Sequence, residues 1–138
     1  MKFRKLTALF LVLCMMLSLG VSAFAAEKTP TGYLTWTLDD SGTLSISGNG
    51  RIAAFTSADD QPWHEMRENI TSVKFDPGAH MIVPDVTFWF SGCTNLKSCV
   101  LPSFANLGAD AFKDCANLNR LQLHYNDESF YISDTAFS

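Results

Sequence analysis

The chain has 138 residues, 47% of them hydrophobic and 17% charged, with a formal charge of −4. That length builds one hydrophobic core rather than two, and the apolar content is too high for wholesale disorder. An acidic chain without a basic cluster is repelled by phosphate backbones, so nucleic acid is not an expected partner.

At the amino end, Lys2, Arg4 and Lys5 precede an uncharged apolar run from Leu6 to Val21. Ala23-Phe24-Ala25 then places small residues at the two positions a signal peptidase reads. Residues 1–25 are therefore expected to be an export signal cleaved before Ala26. From Ala26 onward the balance is −7, because seven basic side chains then face fourteen acidic ones. The competing reading is an uncleaved anchor, since Leu6 to Ala26 just suffices to span a bilayer; the membrane is a partner only in that case. Cys14 lies inside the apolar run behind bulky Leu13, not at its end behind a small residue, which disfavours lipid attachment. The expected location is secreted or at the cell surface.

Residues 33–48 alternate with period two. Leu34, Trp36 and Leu38 interleave with Thr35 and Thr37, Asp39-Asp40-Ser41-Gly42 interrupts, and Leu44 and Ile46 interleave with Thr43, Ser45 and Ser47. This predicts a β-hairpin with one apolar face and one threonine/serine face, turned by the Asp/Gly cluster. An isolated hairpin is marginal, so its apolar face must cover something else. Ser47-Gly48-Asn49-Gly50 predicts a second turn. Residues 51–69 hold no period: Thr56 to Pro62 reads as a loop. Trp63 to Asn69 reads as one or two helical turns with Trp63 and Met66 inward, too short to stand without docking.

From Ile70 onward the chain repeats itself. Phe90–Leu101 laid over Phe112–Leu123 matches Phe90 with Phe112, Cys93 with Cys115, Asn95 with Asn117, Leu96 with Leu118 and Leu101 with Leu123. Upstream, Ile70-x-x-Val73-x-Phe75 is an earlier copy of the apolar skeleton. Leu107-Gly108-x-x-Ala111-Phe112 returns further on as Ile132-Ser133-x-x-Ala136-Phe137. These offsets, roughly 22 to 26 residues, lie in the leucine-rich-repeat range. Each repeat is a short strand and a return path. Leu121 and Leu123 are expected to point inward and Arg120 and Gln122 outward. Equivalent strands should stack about 4.8 Å apart as a parallel sheet. Phe90, Phe112 and Phe137 should stack along the opposite wall, and the Asn95 and Asn117 amides should satisfy turn backbone groups.

Cys93, Cys99 and Cys115 are an odd set without metal-site spacing, and His64, His80 and His124 form no ligand pair. The thiols are expected to be small buried side chains, and no metal or cofactor is expected.

The pattern Phe-x-x-Cys-x-Asn-Leu-x-x-(apolar)-x-Leu followed by Leu/Ile-Gly-x-x-Ala-Phe resembles the BspA-type leucine-rich repeats of bacterial surface proteins. Leu34 to Gly50, with Pro62-Trp63 further on, is similar to the leader hairpin often found before such repeats. The likeness covers residues 33–138. Departures are the irregular segment Pro77 to Phe88, Trp89 in place of an alanine, His124 in place of an apolar residue and Ser133 in place of a glycine. The resemblance implies an exported or surface-displayed solenoid that contacts proteins or host surfaces without catalysis.

The fold expected is mainly β: a short leucine-rich-repeat solenoid of about three coils with a parallel strand sheet, capped by an N-terminal β-hairpin. Its divisions are the signal at 1–25, the hairpin cap and connecting loop at 26–69 and the repeats at 70–138. The candidate binding surface is the outward strand face: Ser72, Lys74, Ser98, Val100, Arg120 and Gln122. Its expected occupant is a protein or host-surface ligand. An alternative is a structural role, as the amino-terminal cap of a longer surface repeat protein whose function lies downstream. Catalysis is not expected, because no nucleophile–base pair, phosphate loop or convergent set of acids is present. The pairs Asp39-Asp40, Asp59-Asp60 and Asp127-Glu128 read as solvated turn residues. Asn69-Ile70-Thr71 matches a glycosylation pattern by accident, since Ile70 falls on a core position.

Overall fold

The computed structural model describes residues 21–28, 31–83, 85–102, 105–123 and 131–138. The basic start of the chain, most of its apolar run, His124 and Asp127-Glu128 lie outside the described residues. Among the described residues seven strands form one sheet: β1 (Val21–Lys28), β2 (Thr31–Asp39), β3 (Thr43–Arg51), β4 (Ser72–Phe75), β5 (His80–Ile82), β6 (Ser98–Leu101) and β7 (Arg120–Leu123). The order across the sheet is β1-β2-β3-β4-β6-β7, with β5 also on β3.

The hairpin expected between residues 33 and 48 is β2–β3, antiparallel, with Trp36 opposite Ile46 and Leu38 opposite Leu44. The turn expected at Ser47 to Gly50 is instead strand, paired with β2 as far as Arg51. Its turn closes through Asp39. That carboxylate accepts the Ser41 and Thr43 N–H groups, each at 2.9 Å, and the Ser41 hydroxyl at 2.6 Å. Gly42 follows at φ +81°. A Cβ there would also stand 2.5 Å from the Asn69 carbonyl oxygen, so glycine is required on both counts. The sequence pattern does not announce β1, which adds a third strand antiparallel to β2 and runs through the cleavage point expected before Ala26.

Beyond β3 the sheet becomes parallel. Thr43 pairs with Ser72 and Ser72 with Ser98, and Ser98 pairs with Arg120. One backbone device recurs at each step. The Gly42 carbonyl accepts the N–H of Thr71 and Ser72, the Thr71 carbonyl that of Lys97 and Ser98, and the Lys97 carbonyl that of Asn119 and Arg120. Each turn thus fixes the register of the next strand, beginning at the hairpin. Asn95 and Asn117 do satisfy turn carbonyls, but those of the preceding repeat: their amides donate to Glu68 and Thr94, both at 2.7 Å.

The irregular stretch after β4 has a simple explanation. The chain makes a turn at Asp76–Ala79 and then rejoins the same edge of β3 as β5, with Gly50 opposite Met81. Gly48 is closely packed there: a Cβ would collide first with the Tyr33 carbonyl of β2 and then with the Met81 sulfur, at 2.9 Å.

Inside the sheet lies one core. Leu34, Trp36, Leu44, Ile46, Ile70, Val73, Leu96, Cys99 and Leu101 are buried, and Trp63, Trp89, Phe90, Leu107 and Phe112 close it from the other wall. The 3-10 helix His64–Asn69 follows buried Trp63, with Met66 against the core, as its spacing predicts. A shorter one spans Ala58–Asp60 inside the expected loop. Trp89, in the place where the resemblance implies an alanine, fills the space between Phe55, Phe75 and Trp63. The opposite wall has its own ladder: Phe88, Phe90 and Gly92 donate to Ala109, Ala111 and Lys113. Phe88 and Asp110, at equivalent points of successive repeats, both have positive φ, as do Gly92 and Asp114.

Candidate interaction surface

Because side chains alternate across a strand, burying one face of β2–β7 commits the other to solvent. Along β3 the burial runs partly exposed, buried, partly exposed from Thr43 to Gly48, and β6 repeats it. All six residues expected at the surface therefore lie on one face. Ser72, Ser98 and Arg120 form one cross-strand row, and Val100 stands opposite Gln122 in the next. Lys74 stands opposite Ser45.

The sheet pairing extends this face beyond the six. Thr35 opposes Ser47 and Thr37 opposes Ser45, so hydroxyls of the hairpin continue the rows. The alternation of threonine and serine signals this face in the sequence. What joins it to the repeats is the β3–β4 pairing, which a single strand's periodicity does not report. Above these rows lies a shallow cleft of about 390 Å³, bordered by Thr35, Thr37, Ser45, Ser47, Lys74 and Asp76.

The polar groups of this face are partly tied to one another. Ser47 donates to the Asp76 carboxylate at 3.0 Å, and Ser72 to the Thr43 hydroxyl at 3.1 Å. The Gly78 N–H and the Ser47 hydroxyl hold Asp76 below the usual carboxylate range, the backbone bond contributing more. Hydrogen bonds from Ser41 and Thr43 hold Asp39 down likewise, with Lys74 adding to the effect. Neither Lys74 nor Arg120 makes an ion pair among the described residues. Both cations are exposed on a largely hydroxyl-bearing surface.

Asp39, Asp59 and Asp60, from two of the acidic pairs, have local tasks. Asp39 builds the hairpin turn. Asp60 accepts the Thr56 hydroxyl and the N–H groups of Thr56 and Ser57. Asp59 lies 3.7 Å from Arg67. Among the described residues no group of three or more His, Cys, Asp or Glu side chains is placed to hold a metal ion. No helix among them is long and apolar enough to cross a membrane. Cys93 and Cys99 are buried free thiols, and Cys115 is half-buried with its sulfur 3.1 Å from the Phe90 carbonyl oxygen. Burial pushes all three thiols up, Cys115 to about 12.

Two expected placements are corrected by the structure: Leu123 is not buried, and Phe137 stacks on Phe112 as expected but is open on its outer side. Leu123 pairs with Leu101 in the same sheet, yet it is 36% exposed where Leu101 is 0%. Ile132 and Phe137 are likewise about half exposed. All three belong to the last strand and return path, so no later repeat among the described residues covers them.

A mainly β chain with a mostly parallel sheet, strands recurring at a regular repeat and a shared core has a leucine-rich-repeat-like fold. It is similar in structure to a leucine-rich repeat protein from Eubacterium ventriosum, with 25% sequence identity and a TM-score of 0.57. The match covers 73% of this chain and 26% of that one, so the chain spans about a quarter of its structural neighbour. No family model and no curated protein matches the sequence.

Proposed function

We propose that this chain is a non-catalytic, BspA-like leucine-rich-repeat protein, secreted or displayed at the cell surface. In this reading about three coils stand behind the amino-terminal hairpin, and the outward face of the sheet binds a protein or host-surface ligand. The observation that carries the reading is the common face of Ser72, Lys74, Ser98, Val100, Arg120 and Gln122, continuous with the hairpin hydroxyls. Exposed Lys74 and Arg120 supply charge for a partner's carboxylates, while the serines and threonines supply short-range hydrogen bonds. The basic, apolar and small-residue order of residues 1–25 supports export. The fold of the Eubacterium ventriosum protein supports the repeat architecture, and nothing in this face converges as a catalytic set does.

The test is capture from an array of purified extracellular-matrix and cell-surface proteins, followed by the variant Lys74→Ala/Arg120→Ala/Gln122→Ala. A loss of about tenfold or more in affinity, equivalent to about 1.4 kcal/mol, is expected with unchanged melting. Full binding by the triple variant would remove the face from the interface.

A further inference from the structure

The carboxy-terminal end of the sheet is unlike its sides. Leu123, Ile132 and Phe137 are exposed there together, and Leu118 and Leu121 are only partly covered. A cleft of about 530 Å³ opens between Phe112, Leu118, Leu121 and Phe137. On the internal side of each repeat the equivalent surfaces are closed by the neighbour: Leu96, Cys99 and Leu101 are fully buried. We propose that this end is a docking surface for one further leucine-rich coil, a polypeptide segment of the same repeat chemistry rather than a second copy of this end. The proposal goes beyond the binding face, since it concerns the edge of the sheet and not its solvent side.

Continuity with the interface between repeats specifies the occupant. Glu68 and Thr94 present turn carbonyls to the amides of Asn95 and Asn117, and Ala116 holds the equivalent position after Thr94. An incoming asparagine meets it. Gly42, Thr71 and Lys97 each accept two N–H groups from the following strand, and Asn119 is next in that series. On the other wall Phe90 and Phe112 each donate an N–H to the following repeat, and Phe137 stands in the same place. Its ring, 5.6 Å from that of Phe112 and within 11° of parallel, continues the stack outward. The occupant therefore carries Asn-Leu at its turn, an apolar-x-Leu strand to cover Leu121 and Leu123, and a small-residue-Phe pair to cover Phe137.

The probe is a peptide copying residues 91–113, which has each of these features. It is added in excess to the full chain, and backbone exchange of β7 is followed by hydrogen–deuterium mass spectrometry. In a second arm residues 92–113 are appended directly after Ser138, which lies in the register of Ser91 and Lys113. About tenfold slower exchange at Arg120–Leu123 in either arm is expected, with a melting temperature about 4 °C higher or more in the tethered one. The same segment with its Leu96, Cys99 and Leu101 copies replaced by Asn should give neither effect. No protection in both arms overturns the proposal. So does concentration-dependent dimerisation of the free chain that protects β7 and that the peptide does not compete away, since a second copy would then hold the site.

Discussion

The ring of Phe112 lies on that of Phe90, centroids 5.3 Å apart and planes within 25°, although the two belong to successive repeats. Phe112 is 1% exposed and Phe137, the next ring outward, is 52% exposed. The same residue type at the same point of the repeat should thus have very different weights. Phe112→Ala is expected to cost about 3–5 kcal/mol and Phe137→Ala less than about 1 kcal/mol. Urea unfolding of the two variants checks this; equal costs would mean that Phe137 is as covered as Phe112.

The hairpin turn should be as critical as the core. Gly42→Ala places a side chain at φ +81° against the Asn69 carbonyl, and the Gly42 carbonyl holds the register of β4. A left-handed alanine costs about 1–2 kcal/mol before the collision is counted, so about 2 kcal/mol or more is expected. Gly78→Ala is the control, because its Cβ would meet only the Asp76 side chain, at 3.4 Å. Thermal melts should show Gly78→Ala near the parent and Gly42→Ala well below it.

The thiols give a prediction with a sign. Folding raises all three, chiefly by burial. Above the ordinary thiol range, near 9, the unfolded chain ionises while the folded chain resists, so alkali favours unfolding. Stability should be intact below pH 8 and fall progressively from about pH 9 to 12. Alkylation at pH 8 followed by peptide mapping should leave Cys93 and Cys99 unmodified until denaturant is added. Rapid modification of either in the native protein would contradict their placement.

Acid acts in the opposite sense. Hydrogen bonds lower Asp39, Asp60 and Asp76, with a Ser41 hydroxyl, a Thr56 hydroxyl and the Gly78 N–H as the respective leading causes. As pH falls, the unfolded chain takes up these protons first, beginning near the ordinary aspartate value of 3.8. Melting temperature should hold from pH 7 to about 5 and drop below 4. Asp39→Asn should lower it at neutral pH and flatten the acid limb, since a neutral amide oxygen accepts the three hydrogen bonds from Ser41 and Thr43 more weakly than a carboxylate and has no charge to lose.

The parts legible in the sequence are those carried by a period. Two-residue alternation places Trp36 and Leu44 inside and Thr37 and Ser45 outside. The longer repeat places Phe90 on Phe112 and Cys99 beside Leu121. What escapes a period depends on contacts between distant segments. Nothing in His80-Met81-Ile82 alternates strongly enough to announce a strand, and its pairing with β3 joins Gly50 to Met81 with β4 intervening in the chain. Gln61 reads as an ordinary loop residue, yet it is 1% exposed and ties the loop to the Phe88 and Ser91 carbonyls. Leu123 carries the inward signature of Leu101, and a signature of direction does not say whether a neighbour is there to cover it. The candidate face is legible strand by strand. Its extension across the hairpin needs the β3–β4 register.

Strand β3 is the one place among the described residues where antiparallel pairing gives way to parallel pairing, and this has a consequence for how the molecule assembles. β2 and β3 need only a tight local turn to meet, whereas Thr43 and Ser72 must be brought together across 29 residues. A chain synthesised from its amino end can complete the hairpin while β4 is still unmade. The edge of β3 is then a template, itself secured as its apolar face is covered, and each later strand has one ready-made neighbour to zip against instead of a partner to search for.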